Sequence, residues 1–365
     1  MRWTLKTAPN VSLVDELSEV LSIDKVLSSL LIQRGIHTFE QAKKFFRPSL
    51  DDLHDPFLLK DMDIAISRIE KAIANNENIL IYGDYDVDGT TAVSLVSSYL
   101  KTITNNIATY IPDRYNEGYG ISTQGIDFAA DHNFSLIIAL DCGIKALDKV
   151  KYASQKNIDF IICDHHKPGD KIPKAVAVLN PKRKDCSYPF DELCGCGVGF
   201  KLIQALASKR GQTLEDLTTY LDLVATAIAA DIVPVTGENR ILTYFGLQVI
   251  NSNPRNGIKA IIQGVKKNIL TITDVVFIIA PRINAAGRMK HGNYAVELLT
   301  EMDYDAAIRF AASIEKFNIE RKEIDKKITY EALQQIEAAD EKEKFSTVVY
   351  SENWHKGVIG IVASR

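Results

Sequence analysis

The 365-residue sequence contains no run of roughly 18 to 20 uninterrupted apolar residues, the length a membrane-spanning helix requires. Its first residues, MRWTLKTAPN, lack the apolar segment that drives secretion. A cytoplasmic protein with no membrane partner is therefore expected. Five cysteines are too few, and odd in number, for a disulfide framework in a chain of this size, so reduced thiols are expected. A net charge of −4 provides no global attraction for nucleic acid, although a local basic cleft is compatible with it. There is no fixed-period repeat and no low-complexity tract. With 46% hydrophobic and 25% charged residues, disorder is excluded as the dominant state and a large core is expected.

The apolar spacing is helical from Val11 to about Phe46, punctuated by Gly35 and Pro48, and predicts a small helical preface. A second helical stretch, DMDIAISRIEKAIANNE, leads into the short apolar run Ile79–Tyr82, an acidic turn and a further helix. This strand-loop-helix unit recurs, with predicted strands at Ser135–Leu140, Asp159–Cys163 and Ala175–Leu179. Such alternation implies an α/β fold with a mostly parallel sheet flanked by helices. Helices are also expected around KLIQALASKR and LTTYLDLVATAIAADIV. A charged helical stretch from Asp303 to Ala339 reads as a connector, and Phe345–Tyr350 as the first strand of a second α/β domain. The expected organisation is a helical N-terminal segment over 1–50, a catalytic α/β domain over 51–300, a connector helix over 301–340 and an incomplete further domain over 341–365.

In open α/β sheets, ligands bind outside the carboxyl ends of the strands, and here three predicted strands end in carboxylates. The first runs into Gly83-Asp84-Tyr85-Asp86-Val87-Asp88-Gly89, the second into Asp141-Cys142-Gly143, and the third into Asp164-His165-His166. An apolar helix also runs straight into Asp231. Asp84, Asp86 and Asp88 resemble half of a calcium loop, but Ala92–Leu95 occupies the place of the glutamate that would close one. Asp141 alone could be a turn former, the paired histidines a surface loop, and Asp231 an irregular helix end. Together at one sheet edge, the carboxylates would repel one another unless cations neutralise them. Carboxylates with one or two imidazoles suit Mn²⁺ or Mg²⁺ rather than structural zinc, and Cys194-Gly195-Cys196 has the wrong spacing for a zinc knuckle. So many ligands exceed one coordination shell, which favours two ions about 3.5 to 4 Å apart and hydrolysis of a phosphoester.

The motifs GDYDVDG, ALDCG, CDHH and AADIVP, in that order, resemble the four signatures of the DHH phosphoesterase superfamily. YIPDRYNEGYG, LCGCGVGF, PRINAAGR and HKGVIGIVASR are further similar to its RecJ family of single-strand-specific 5′→3′ DNA exonucleases, which act in DNA repair and recombination. The resemblance implies that Asp84 and Asp86 hold one ion, that Asp88, His165 and Asp231 hold the other, and that Asp141 bridges them. His166 would face the scissile phosphate, and Asp164 would orient an imidazole. Water activated by the ions would make a side-chain nucleophile unnecessary. Arg114, Arg282, Asn284 and Arg288 are candidate phosphate contacts, and the resemblance points them at a 5′-terminal phosphate. Gly357, Gly360, Ser364 and Arg365 resemble a glycine-spaced phosphate-approaching loop that opens the DHH-associated domain. Tyr115 and Tyr119 are expected to be structural rather than base-stacking. Family members continue well beyond this loop, so a shortened or partial form is expected.

The implied partner is single-stranded DNA, with a single-strand-binding protein and a helicase as candidate protein partners. One competing reading is a phosphodiesterase for short oligoribonucleotides or cyclic dinucleotides, although such relatives more often open with His. Another is a non-catalytic DHH scaffold, which the filled ligand positions disfavour.

Overall fold

The computed structural model describes residues 4–339 and 344–364. The chain divides into two units, residues 1–53 and 54–365. In the first, α1 (Val11–Leu21), α2 (Lys25–Ile32) and α3 (Phe39–Phe46) enclose a small core of Val14, Leu17, Leu31, Ile32, Ile36 and Ala42. Each helix starts at a side-chain cap, Asn10, Asp24 and Thr38, that accepts from an otherwise orphaned backbone N–H.

The second unit begins with α4 (Met62–Ala74) and is built on five parallel strands: β1 (Asn78–Gly83), β2 (Ile107–Tyr110), β3 (Phe134–Leu140), β4 (Asp159–Cys163) and β5 (Ala177–Leu179). Their spatial order is β2-β1-β3-β4-β5. The runs ILIY, LIIAL and FIIC are apolar throughout because helices cover both faces of the sheet, and Ile79–Tyr82 and Leu136–Leu140 are wholly buried. Those helices are α5 (Val87–Leu100), α6 (Thr123–Asp131), α7 (Leu147–Gln155) and α8 (Gly195–Lys209). The strand order reverses between β1 and β3, so a crevice opens beyond their carboxyl ends.

An all-helical layer follows: α9 (Leu221–Ala230), α10 (Gly237–Ser252), α11 (Asn256–Ile262), α12 (Ile272–Asp274), α13 (Ala280–Met289), α14 (Asn293–Thr300), α15 (Tyr304–Ala338) and α16 (Lys356–Ala363). A wide π turn, Val275–Ile279, joins α12 to α13 just where Pro281 removes a backbone donor. The expected charged helix is the single 35-residue α15, started by an Asp303 side chain that accepts from the Ala306 N–H. None of the helices among the described residues is long and apolar enough to cross a membrane.

Three expectations change. The short edge strand β2 is not marked in the apolar pattern, because four residues between Asn106 and Pro112 give too little alternation to read. The segment 345–350 joins no ladder among the described residues; the Gln335 side-chain amide bonds to both the N–H and C=O of Tyr350 instead, as a neighbouring strand would. The glycine-spaced segment after His355 is helical α16 rather than a loop, because the His355 ring caps it by accepting from the Gly357 N–H.

Candidate metal centre and phosphate cleft

Asp84 leaves the end of β1 and Asp141 the end of β3, on either side of the crevice. Asp84 is fully buried and neither carboxylate oxygen has a hydrogen-bond partner. Asp86 is the N-cap of α5 and accepts from the Gly89 N–H at 3.0 Å. Asp88 sits in the first turn of α5, where both oxygens accept from the start of α8, Gly195 N at 2.6 Å and Cys196 N at 2.7 Å. Two orphaned helix N–H groups thus fix this carboxylate. Gly89 is required because a Cβ there would lie 2.4 Å from the Asp84 carbonyl oxygen. Asp141 itself has φ +57°, a conformation that costs a non-glycine residue about 1 kcal/mol or more.

The His165 Nε2 lies 3.1 Å from Asp141 Oδ1, 3.5 Å from Asp231 Oδ2 and 3.6 Å from Asp88 Oδ2. Both ring nitrogens of His165, together with Asp141 Oδ1 and Asp231 Oδ2, are buried without a hydrogen-bond partner. Asp88, His165 and Asp231 bring ligand atoms within 4.8 Å of one another, as do Asp141, His165 and His166. Asp164 lies behind them, accepting from the backbone N–H groups of Ile144 (2.9 Å), His165 (2.7 Å) and His166 (3.0 Å) and pairing with His166 Nδ1 at 2.8 Å.

The charges are mutually unfavourable in the absence of a cation. Burial, then Asp86, pushes the Asp84 carboxyl up to about 7; burial, then Asp88, does the same to Asp231. Burial and the neighbouring Asp88 and Asp86 raise Asp141 well above the usual carboxylate range. Burial lowers His165, so its imidazole is neutral and able to act as a ligand. His166 moves the other way, raised chiefly by its hydrogen bond to Asp164. Burial disfavours the charged form of Asp164, yet the His166 hydrogen bond and the backbone donors hold it below its ordinary value. Cys142, Cys194 and Cys196 are buried free thiols raised well above their ordinary range, so no thiolate competes. Orphaned hard oxygens with a neutral imidazole are the donor set that Mn²⁺ or Mg²⁺ accepts.

Facing the carboxylates is a basic wall. A cavity of ≈ 230 Å³ is lined by Asp84, Asp86, Asp88 and Asp231 on one side and by Arg114, Asn284 and Arg288 on the other. Arg114 lies 4.2 Å over the Tyr85 ring, and Arg288 donates to the Gly357 carbonyl at 2.8 Å. A neighbouring cavity of ≈ 350 Å³ is lined by Arg114, Tyr115, Arg288, Lys356, Gly357 and Gly360, with no carboxylate. At Gly357 a Cβ would meet Tyr115 Oη at 2.6 Å and the Arg288 carbonyl at 2.7 Å, so only glycine lets α16 approach this closely. Tyr115 donates to the Arg288 carbonyl, and the Tyr119 hydroxyl is 3.3 Å from His166 Nε2.

Arg282 is not brought to either cavity; it pairs with Glu315 at 2.5 Å and donates to the Ile278 carbonyl. Ser364 is the C-cap of α16, and its hydroxyl donates back to the Ile361 carbonyl. Arg365 lies outside the described residues. Residues that the motif reading did not single out for the site are Gly195 and Cys196, through their backbone donors, and Asn180, whose buried amide holds the His166 carbonyl at 2.9 Å. The position of Asn180 directly after the last parallel strand was its one visible signal.

Residues 78–228 match the DHH family N-terminal domain. The chain is 40% identical to the single-stranded-DNA-specific exonuclease RecJ of Bacillus subtilis across the whole of this chain and 46% of that protein. Against the RecJ of Escherichia coli it is 32% identical over 96% of this chain and 63% of that protein. The chain thus spans about half to two thirds of these relatives' length. Among solved structures, RecJ from Thermus thermophilus in complex with Mn²⁺ superposes with a TM-score of 0.85 at 27% identity, covering 100% of this chain and 52% of the other. An exonuclease RecJ bound to manganese gives 0.78 at 29% identity, covering 87% and 78%. The chain therefore shares the fold of RecJ structures solved with manganese.

Proposed function

We propose that the chain is a two-metal phosphodiesterase that hydrolyses single-stranded DNA from its 5′ end. The observation that carries this reading is the cavity whose one wall is carboxylate and whose other wall is guanidinium and amide. Asp84 and Asp86 would hold one divalent ion, Asp88, His165 and Asp231 the other, with Asp141 shared. When bound, the ions neutralise the cluster, activate water and stabilise the charge that develops on phosphorus-bound oxygens.

The chain's own residues do the rest. Asp164 fixes the His166 ring through Nδ1, leaving Nε2 to face a phosphate oxygen. Arg114, steadied on Tyr85, and Arg288 clamp the substrate phosphates, and Asn284 adds an amide beside them. The carboxylate-free cavity formed with Lys356, Gly357 and Gly360 would take a terminal 5′-phosphate. Its walls give a terminus something to grip, which an internal phosphate in a duplex cannot offer. A helicase or a single-strand-binding protein would supply or present such strands. Residues 51–300 would carry the chemistry, with 301–340 leading to a nucleic-acid-binding region that starts within 341–365.

The deciding experiment is a gel assay of end-labelled single- and double-stranded DNA with Mn²⁺ and with excess chelator. Mononucleotide release from the 5′ end of single strands, silenced by chelator, is expected. Preference for a dinucleotide over long strands would favour the small-oligonucleotide reading, and full activity in chelator would overturn the metal chemistry.

A further inference from the structure

A third cavity, ≈ 210 Å³, shares Ala230, Asn284 and Arg288 with the metal-site cavity but has no carboxylate in its lining, and it has no role in the assignments above. Its walls are apolar, from Ile232, Val276, Pro281 and Ile361, and they are closed on one side by Arg321 of α15. Apolar faces beside guanidinium groups are what a sugar and base attached to a phosphate require.

Two independent features mark this cavity as built for a ligand. The first is Ile232, directly after Asp231. It is 91% exposed and has φ +60°, an arrangement a β-branched side chain rarely adopts. The residue after the α9 C-cap is a usual place for a left-handed conformation, but glycine or asparagine ordinarily fills it; an exposed isoleucine there is strained, and such strain concentrates at ligand clamps. The second is a convergence of guanidinium groups. Arg321 is oriented by the fully buried Asn318, whose amide oxygen accepts from it at 2.9 Å, and by Asp325 at 3.9 Å. Arg288 lies below the ordinary arginine range because of burial and because Arg114 and Arg321 face it. Arg288, buried and facing two further guanidinium groups, is relieved by a polyanion.

We propose that this cavity is a nucleoside subsite beside the scissile phosphate, in which Ile232 packs on a base or sugar and Arg321 takes the next phosphate of the strand. The subsite rests on the nuclease reading above and extends it to a second nucleotide. Arg114, Arg288 and Arg321 then form a track along the backbone. Recognition would be independent of sequence, since apolar packing and phosphate contacts read no base edges.

The test is binding of a 5′-phosphorylated, 3′-fluorescein-labelled oligothymidylate by anisotropy across a salt series, with Ca²⁺ in place of Mn²⁺ so that the strand stays intact. R321Q is expected to weaken binding about tenfold and to lower the slope of log K against log salt by about 0.7, the value for one lost phosphate contact on a single strand. R321K should keep the slope and recover part of the affinity. I232G should weaken binding about fivefold without changing the slope, while its melting temperature stays level or rises because the left-handed strain is gone. Unchanged affinity and slope in R321Q, or unchanged affinity in I232G, overturns the subsite. If these variants bind as expected but the unmodified chain cleaves no DNA with Mn²⁺, the subsite stands and the exonuclease reading falls. Cleavage with binding indifferent to both variants does the reverse.

Discussion

Gly195→Ala tests whether the start of α8 positions the aspartates proposed to hold the metal. A Cβ at 195 would lie 2.5 Å from Asp141 Cβ, 2.6 Å from its Oδ1 and 2.8 Å from its Cα, whereas ordinary contact begins near 3.4 Å, so about 1 Å must open. Asp141 has little room to yield: it is 2% exposed, it sits at positive φ, and its N–H is tied to the Cys163 carbonyl at 2.9 Å. If α8 retreats instead, its two backbone donors leave Asp88. Either movement separates carboxylates that converge on His165. Overpacking of this kind costs about 1–3 kcal/mol of stability. Displacing a reacting constellation by about 1 Å costs on the order of 100-fold in rate. Gly264→Ala is the control, because a Cβ there meets nothing within 4 Å. Calorimetric Mn²⁺ titration and single-turnover hydrolysis of a labelled single strand measure the two effects. Wild-type Mn²⁺ affinity and rate in the alanine variant would refute the positioning role of this contact.

Asp141→Ala should abolish calorimetric binding of at least one Mn²⁺ and cut turnover by several orders of magnitude while the circular-dichroism spectrum is retained. Asp164→Asn leaves an amide donor opposed to one of four N–H groups, most simply that of Ile144; it should cost about 1–3 kcal/mol in urea unfolding, lower the His166 pKa in an NMR titration and reduce turnover about 10- to 100-fold. In the metal-free protein the raised values of Asp84 and Asp231 mean that the folded state resists ionisation, so its melting temperature should fall as pH rises from about 4 through about 7 and recover on adding Mn²⁺; a flat profile over that window contradicts the cluster. Asp274, held down to about 2 chiefly by its hydrogen bond to Lys267, has the opposite sign: its contribution is present above about 4 and is lost as pH falls toward 2, so Asp274→Asn should flatten that acid limb of the urea midpoint.

The parts of the site legible in the sequence were those carried by residue identity at strand ends. Asp84, Asp141 and Asp164 each follow an apolar run, and a parallel sheet places all such ends along one edge regardless of the detailed geometry. What could not be read was carried by backbone. The donors that hold Asp88 come from Gly195 and Cys196, more than a hundred residues away, and neither side chain reveals that its N–H points at a carboxylate. Arg282 and Arg288 share one motif and one residue type, but a helix turns successive positions by about 100°. Arg282 therefore meets Glu315 on α15 while Arg288 faces the cavity, and only the packing of α13 against α15 decides between them. Asp141 shows the same limit most directly. Glycine is the first expectation where φ is positive, and Gly143 stands two residues later, yet both positions are left-handed. The aspartate accepts that conformation because it presents its carboxylate to His165 from the end of β3. Aspartate tolerates the left-handed region better than most residues, so local preference marks Asp141 as a turn former, but the reason for the turn is set by the site and is visible only in the fold.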